Sequence, residues 1–252
     1  MYTPSFRTNR NNVPFLPKQD IEEIAESYAL DFCPKILEKP QPIDIESFLE
    51  FYLGLNMDYQ YLSNDGRYLG MMVFNDTNRV IIYDPEKNEA DYLHADANTV
   101  IVDNRLLAGN QRHRYRYTCA HEGGHSIFHA AYYCNAIPES FPLYAPLPED
   151  SSAIVQCSED DMKSVTKGGK WPPKKTMEWQ ANYFASALLM PRMAVDAVME
   201  EFTAGIEISN KRYAMTQAVS EVFDVSMDAA TNRLKELGWY DRADPCHRSP
   251  LK

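Results

Sequence analysis

Residues 114–133 read Arg-Tyr-Arg-Tyr-Thr-Cys-Ala-His-Glu-Gly-Gly-His-Ser-Ile-Phe-His-Ala-Ala-Tyr-Tyr. At their centre His121-Glu122-Gly123-Gly124-His125 forms an H-E-x-x-H pentad. Histidines four apart sit one turn apart on the same helix face, so both imidazoles can reach one metal ion. Glu122 then stands beside that ion, placed to take a proton from water. Chance supplies about 0.01 such pentads in a chain of this composition, so the surroundings must decide. They favour a continuous helix over about 112–133. Two glycines inside it each cost about 1 kcal/mol relative to alanine. A site that lets backbone approach closely has a use for them; an ordinary core helix has little.

A catalytic zinc needs a third protein ligand and an open fourth position. An H-E-x-x-H-x-x-G-x-x-H pattern would place glycine at 128 and histidine at 131, where the chain has Phe128 and Ala131. His129 lies about 12 Å along the helix from His121, too far to share an ion without deforming it. It is expected to be packed or to support another ligand. Glu178 is the remaining candidate. It opens a stretch whose Met177, Ala181, Phe184, Ala185, Leu188 and Leu189 fall at helical spacing. Glu178 and Asn182, four apart on the edge of that stripe, project toward one cleft. A half-buried carboxylate there suits a cation, and Asn182 suits the task of orienting a ligand.

These two blocks, Ala120-His121-Glu122-Gly123-Gly124-His125 with His129, and Glu178-Trp179-Gln180-Ala181-Asn182-Tyr183-Phe184-Ala185 running to Pro191, resemble the ImmA/IrrE family of metallo-endopeptidases. The resemblance extends over roughly residues 20–240. It implies that His121, His125 and Glu178 hold Zn2+ (other divalent ions such as Mn2+ would also be accepted) and that Glu122 is the general base. It further implies a protein substrate, a helix-turn-helix transcriptional repressor. Gly123 departs from the bulkier apolar residue common at that place. Tyr183, Tyr117, Arg116 and His129 are unranked candidates for stabilising the oxyanion. A peptide running along a sheet edge would gain backbone hydrogen bonds.

Away from the blocks, Asp20–Phe32 reads as a helix, and Asp44 caps a second that stops near Gly54. Runs at 57–62, 68–74, 79–83 and 99–102 predict short strands of one small sheet. Residues 134–176 read as an irregular connection, followed by helices at 176–190, about 192–203, and twice between 208 and 238. The expected class is α+β: a small mixed sheet packed on zincin-type active-site helices, with a C-terminal helical, helix-turn-helix-like subdomain. The expected division is a flexible lead-in (1–19), a zincin-like metallopeptidase domain (20–203) and a helical subdomain with its tail (204–252).

The chain has 252 residues, enough for a buried core. It has 36 acidic against 25 basic residues, a net charge of −11 that repels a polyanion. Residues 207–240 carry four basic and five acidic side chains, which makes direct nucleic-acid binding a poor expectation for the tail. The rival reading is a DNA-binding transcriptional regulator with a structural or vestigial metal site. No apolar run is long enough for a membrane span. Five cysteines without framework spacing point to packed thiols in a reducing, cytoplasmic setting.

Overall fold

The computed structural model describes residues 1–10, 12–134, 154–158, 171–203 and 211–243. Much of the expected irregular connection, and with it the side chain of Cys157, lies outside these residues, as does Cys246.

Helix α1 spans Lys18–Phe32 and buries Ile21, Ile24, Ala25 and Tyr28. Asp44 accepts a hydrogen bond from the Ser47 amide and starts α2 (Ile45–Ser47). The chain continues as a π-helical turn over Phe48–Tyr52 and leaves it through Gly54, at φ +70°. Five strands follow: β1 (Asn56–Gln60), β2 (Tyr68–Val73), β3 (Thr77–Asp84), β4 (Glu89–Ala95) and β5 (Thr99–Asp103). Helix α3 (Arg112–Phe128) carries the pentad, and α4 (Ala130–Cys134) continues beyond His129. Strand β6 (Ile154–Ser158) precedes α5 (Pro173–Leu189), which carries Glu178. The remaining α-helices among the described residues are α6 (Arg192–Thr203), α7 (Lys211–Phe223), α8 (Met227–Glu236) and α9 (Trp239–Ala243).

One sheet has the order β1-β5-β2-β6, with β1 parallel to β5 and the other pairs antiparallel. The run at 79–83 does not join it. Instead β3 pairs with β4 as a separate hairpin. The period of two along the strands explains the layering. On β2 and β5, Met72, Val100 and Val102 join the core shared with the helices. Their neighbours Met71, Val73 and Ile101 point to the other face, where Val80 and Ala95 of the hairpin cover them. Helix α3 lies between this sheet and α5, and α1 packs on the far side of α5. The pentad is thus enclosed between sheet and helix.

The N-terminal lead-in makes defined contacts with the body. A bridge pairs Thr8 with Pro14, Val13 and Leu16 are buried, and Phe6 packs edge-on against Phe128. Apolar residues spaced irregularly among asparagines and prolines found core contacts that no helical or strand period announces.

Helices α7 and α8 meet at Asp224, whose φ of +51° makes the turn. Ser226 caps α8 by accepting from the Ala229 amide. Two arginines tie the pair to the body. Arg116 of α3 donates to the Ile43, Phe223 and Asp224 carbonyls. Arg233 of α8, fully buried, donates to the Met190 carbonyl and to both oxygens of Glu22 on α1. No helix among the described residues is long and apolar enough to cross a membrane.

Candidate metal centre

Local geometry places the three donor atoms together. Nε2 of His121 and Nε2 of His125 are 3.0 Å apart. Glu178 Oε2 lies 3.3 Å from the first and 3.6 Å from the second. A tetrahedral zinc with bonds of about 2.0–2.1 Å has ligand atoms about 3.3 Å apart, so these three edges match the coordination sphere of such an ion. All three residues are buried. Two imidazole nitrogens this close to each other and to a carboxylate form a donor set that fits a divalent cation.

The glycines explain how close the helices come. A Cβ on Gly124 would lie 3.1 Å from Phe184 Cδ1 and 3.3 Å from Ala181 Cα, so α3 and α5 meet backbone to backbone there. A Cβ on Gly123 would lie 2.8 Å from Leu49. The close approach is of helix to helix and helix to π-turn, one step removed from the donor atoms themselves.

Glu122 is fully buried, and neither of its oxygens has a hydrogen-bond partner among the described residues. Burial, and then the negative charge of Glu178, push its carboxyl well above the usual range. A cation in the cage reverses that balance and favours the carboxylate. Glu178 behaves oppositely. Burial pushes its carboxyl up, but the neighbouring His125 and His121 outweigh that and hold it below the usual range. Glu122 is hemmed in from the sheet side by Gly70 of β2, where a Cβ would lie 2.6 Å from Glu122 Oε1 and equally close to Thr118 Cγ2.

Behind the donors stand Asn182 and His129. Asn182 Oδ1 is 3.0 Å from His121 Nδ1. His129 sits 2.9 Å from His125, Nδ1 to Nδ1, and its Nε2 is 3.0 Å from Gln180 Oε1. Burial, with His125 beside it, depresses the basicity of His129 well below the ordinary value, which favours the neutral ring. Three oxyanion candidates are engaged elsewhere. Arg116 holds the tail turn, the Tyr117 hydroxyl donates to the Asn182 carbonyl, and the Tyr183 hydroxyl donates to Glu22. His129 lies behind His125.

Sequence reasoning passed over Gln180, Gly70 and Tyr133. Tyr133 is buried and stacked on Phe74 at 4.8 Å. Its hydroxyl is held protonated by burial and by the charges of Glu178 and Glu122. Gln180 could have been noticed as a polar side chain inside an apolar stripe; Gly70 and Tyr133 carry no local signal. Cys119, next to the pentad, is buried with its thiol pushed up by desolvation, a packed thiol rather than a reactive one.

Residues 153–235 match the family model described as the IrrE N-terminal-like domain, a peptidase family. The match supports a metallopeptidase-like domain of ImmA/IrrE type over this part of the chain. The matched interval contains Glu178, Gln180 and Asn182, while the pentad on α3 precedes it. No curated protein matches the chain.

Proposed function

Starting from an ImmA/IrrE-type metallopeptidase domain, we propose that the chain is a zinc-dependent endopeptidase, with His121, His125 and Glu178 as ligands and Glu122 as general base. The observation that carries this reading is the buried, unpartnered Glu122 carboxyl beside three donors at coordination spacing. A zinc ion in that cage supplies electrophilic polarisation and water acidified to a pKa of about 7. Glu122 takes the proton of the attacking water and returns it to the departing amine, the task for which a poised carboxylate is suited. Gly70 and the surrounding burial hold that carboxylate in one place. Among the described residues the sheet ends at β6 beyond β2, and that edge is where an extended substrate would gain backbone bonds.

The substrate we infer is a helix-turn-helix transcriptional repressor, and the compartment cytoplasmic. The tail supports packing or substrate docking rather than DNA reading: its one central arginine, Arg233, is turned inward onto Glu22. The described surface of α8 exposes Asp228, Asn232, Lys235 and Glu236, a poor match for phosphates.

The test compares wild type with Glu122→Gln. Both should bind zinc, while cleavage of a proteome-derived peptide library, read by mass spectrometry, falls by orders of magnitude in the variant. New N-termini that appear in cells expressing wild type but not the variant should fall in helix-turn-helix regulators. Equal cleavage by the two proteins would remove Glu122 from the mechanism.

A further inference from the structure

A chain of hydrogen bonds runs from the donor cluster to the N-terminal segment, and its far end has only one possible polarity. The Pro14 carbonyl can accept but never donate. It receives Gln180 Nε2 at 2.9 Å. The amide group of Gln180 is thereby oriented, and its Oε1 is left facing His129 Nε2 at 3.0 Å as an acceptor. A neutral His129 then carries its proton on Nε2 and presents a lone pair at Nδ1. That lone pair faces His125 Nδ1 at 2.9 Å, which must be the donor. With Nδ1 protonated, a neutral His125 has its free lone pair on Nε2, the atom 3.0 Å from His121 Nε2 and 3.6 Å from Glu178.

We propose that Pro14, Gln180 and His129 form a directional relay that fixes His125 as the Nδ1–H tautomer and aims its Nε2 lone pair into the metal cage. The relay makes the N-terminal segment part of the metal centre, although Pro14 lies far from it in sequence. Three features support this. Gln180 and His129 are buried, at 1% and 0% exposure, so water cannot substitute for either partner. The Thr8–Pro14 bridge, with the Phe15 amide donating to the Arg7 carbonyl, holds the accepting carbonyl in a closed turn. His121 has its own acceptor in Asn182 Oδ1, so each ligand imidazole is oriented by a different residue of α5. Partners that fix the tautomer and orientation of a ligating imidazole typically contribute 10–100-fold to metal affinity. Gln180 and His129 are positioning residues here, acting through His125.

The inference rests on the metal-centre part of the proposed function and not on the identity of a substrate, so zinc alone is the probe. Gln180→Leu removes both bonds at similar volume. Gln180→Glu keeps an acceptor for His129 and, when protonated, a donor for Pro14. Zinc affinity measured by chelator competition should fall about 10–100-fold in Gln180→Leu, with most of it regained in Gln180→Glu. Deletion of residues 1–16 should lower it as well, and because that deletion also removes buried Val13, the point variants decide. Imidazole 15N spectra of the metal-free and zinc-loaded wild type should show the His125 proton on Nδ1 and the His129 proton on Nε2. Wild-type affinity in Gln180→Leu, or a His129 proton on Nδ1, would overturn the relay while leaving the metal centre intact. A wild-type chain that binds no zinc would overturn both readings.

Discussion

Gly70 shows how much of the site depends on an atom that is missing. Strand β2 crosses behind Glu122 so closely that a single methyl group on Gly70 would overlap the carboxylate and Thr118. Neither neighbour has room, because Glu122 is fully buried and Thr118 is too. Gly70→Ala should therefore displace Glu122, the proposed base, rather than the three proposed ligands. The expected outcome is a fall in kcat with zinc affinity close to wild type, and a stability loss of about 1–3 kcal/mol from overpacking. Calorimetry of zinc binding alongside single-turnover cleavage separates these effects. Loss of affinity with kcat preserved would mean that the strand supports the cage and not the base. Nothing in the local sequence marks Gly70, since the contact joins residues 52 positions apart. The pentad and Glu178 were legible because their chemistry is written at helical spacing. Gln180 and Pro14 were not, because the bond between them crosses from an irregular segment to a helix far along the chain.

At the level of elements, the site is the seam between α3 and α5, and Gly124 sets its width. Alanine there would gain about 1 kcal/mol of helix propensity, yet its Cβ would press on the Ala181 backbone, which cannot rotate away. Gly124→Ala should leave thermal stability near wild type and weaken zinc binding, since parting the helices draws Glu178 from the two histidines. Gly124→Val, with more bulk, should lower both. Tight zinc binding by Gly124→Val would show that the cage does not depend on this contact. The helices that form the seam were readable because their apolar residues recur at 3.6-residue spacing. The pairing of strands was less so. Strand β4 exposes most of its residues and has little apolar alternation to mark it, and the β3 run looks like a member of the main sheet although, among the described residues, it pairs with β4 in a separate hairpin. Which strand lies beside which depends on the two faces of β2 and β5 being covered by different partners, a tertiary condition that no single run reveals.

For the molecule as a whole, the question is whether α7–α9 behave as a separate unit or as part of the body. Residue 204 was the expected boundary, but Arg233 of α8 is buried against Glu22 of α1, with the Tyr183 hydroxyl donating to the same carboxylate. Burial alone would raise the Glu22 carboxyl; the Arg233 guanidinium, with Tyr183 and Arg192, more than offsets it and holds it below the usual value of 4.5. A carboxyl whose folded pKa is depressed contributes stability that is present above its unfolded pKa and disappears as pH falls through the folded one. The Glu22–Arg233 contribution should accordingly be full at neutral pH and fade below about pH 4.5. Glu22→Gln leaves buried Arg233 with only Glu236, 3.8 Å away and partly exposed, as counter-charge among the described residues, and should cost up to about 3–5 kcal/mol at pH 7. The gap between wild type and variant should narrow steadily on acidification. Both proteins are best compared free of metal, so that protonation of the histidine ligands does not enter the difference. Amide hydrogen exchange then locates the effect. If the tail is integrated with the body, the amides of α8 and α5 lose protection together in Glu22→Gln, because Arg233 also ties α8 to the Met190 carbonyl at the end of α5. Release of α8 alone, with α5 still protected and zinc still bound, would instead mean that the tail is an appended unit whose contacts with the body are dispensable.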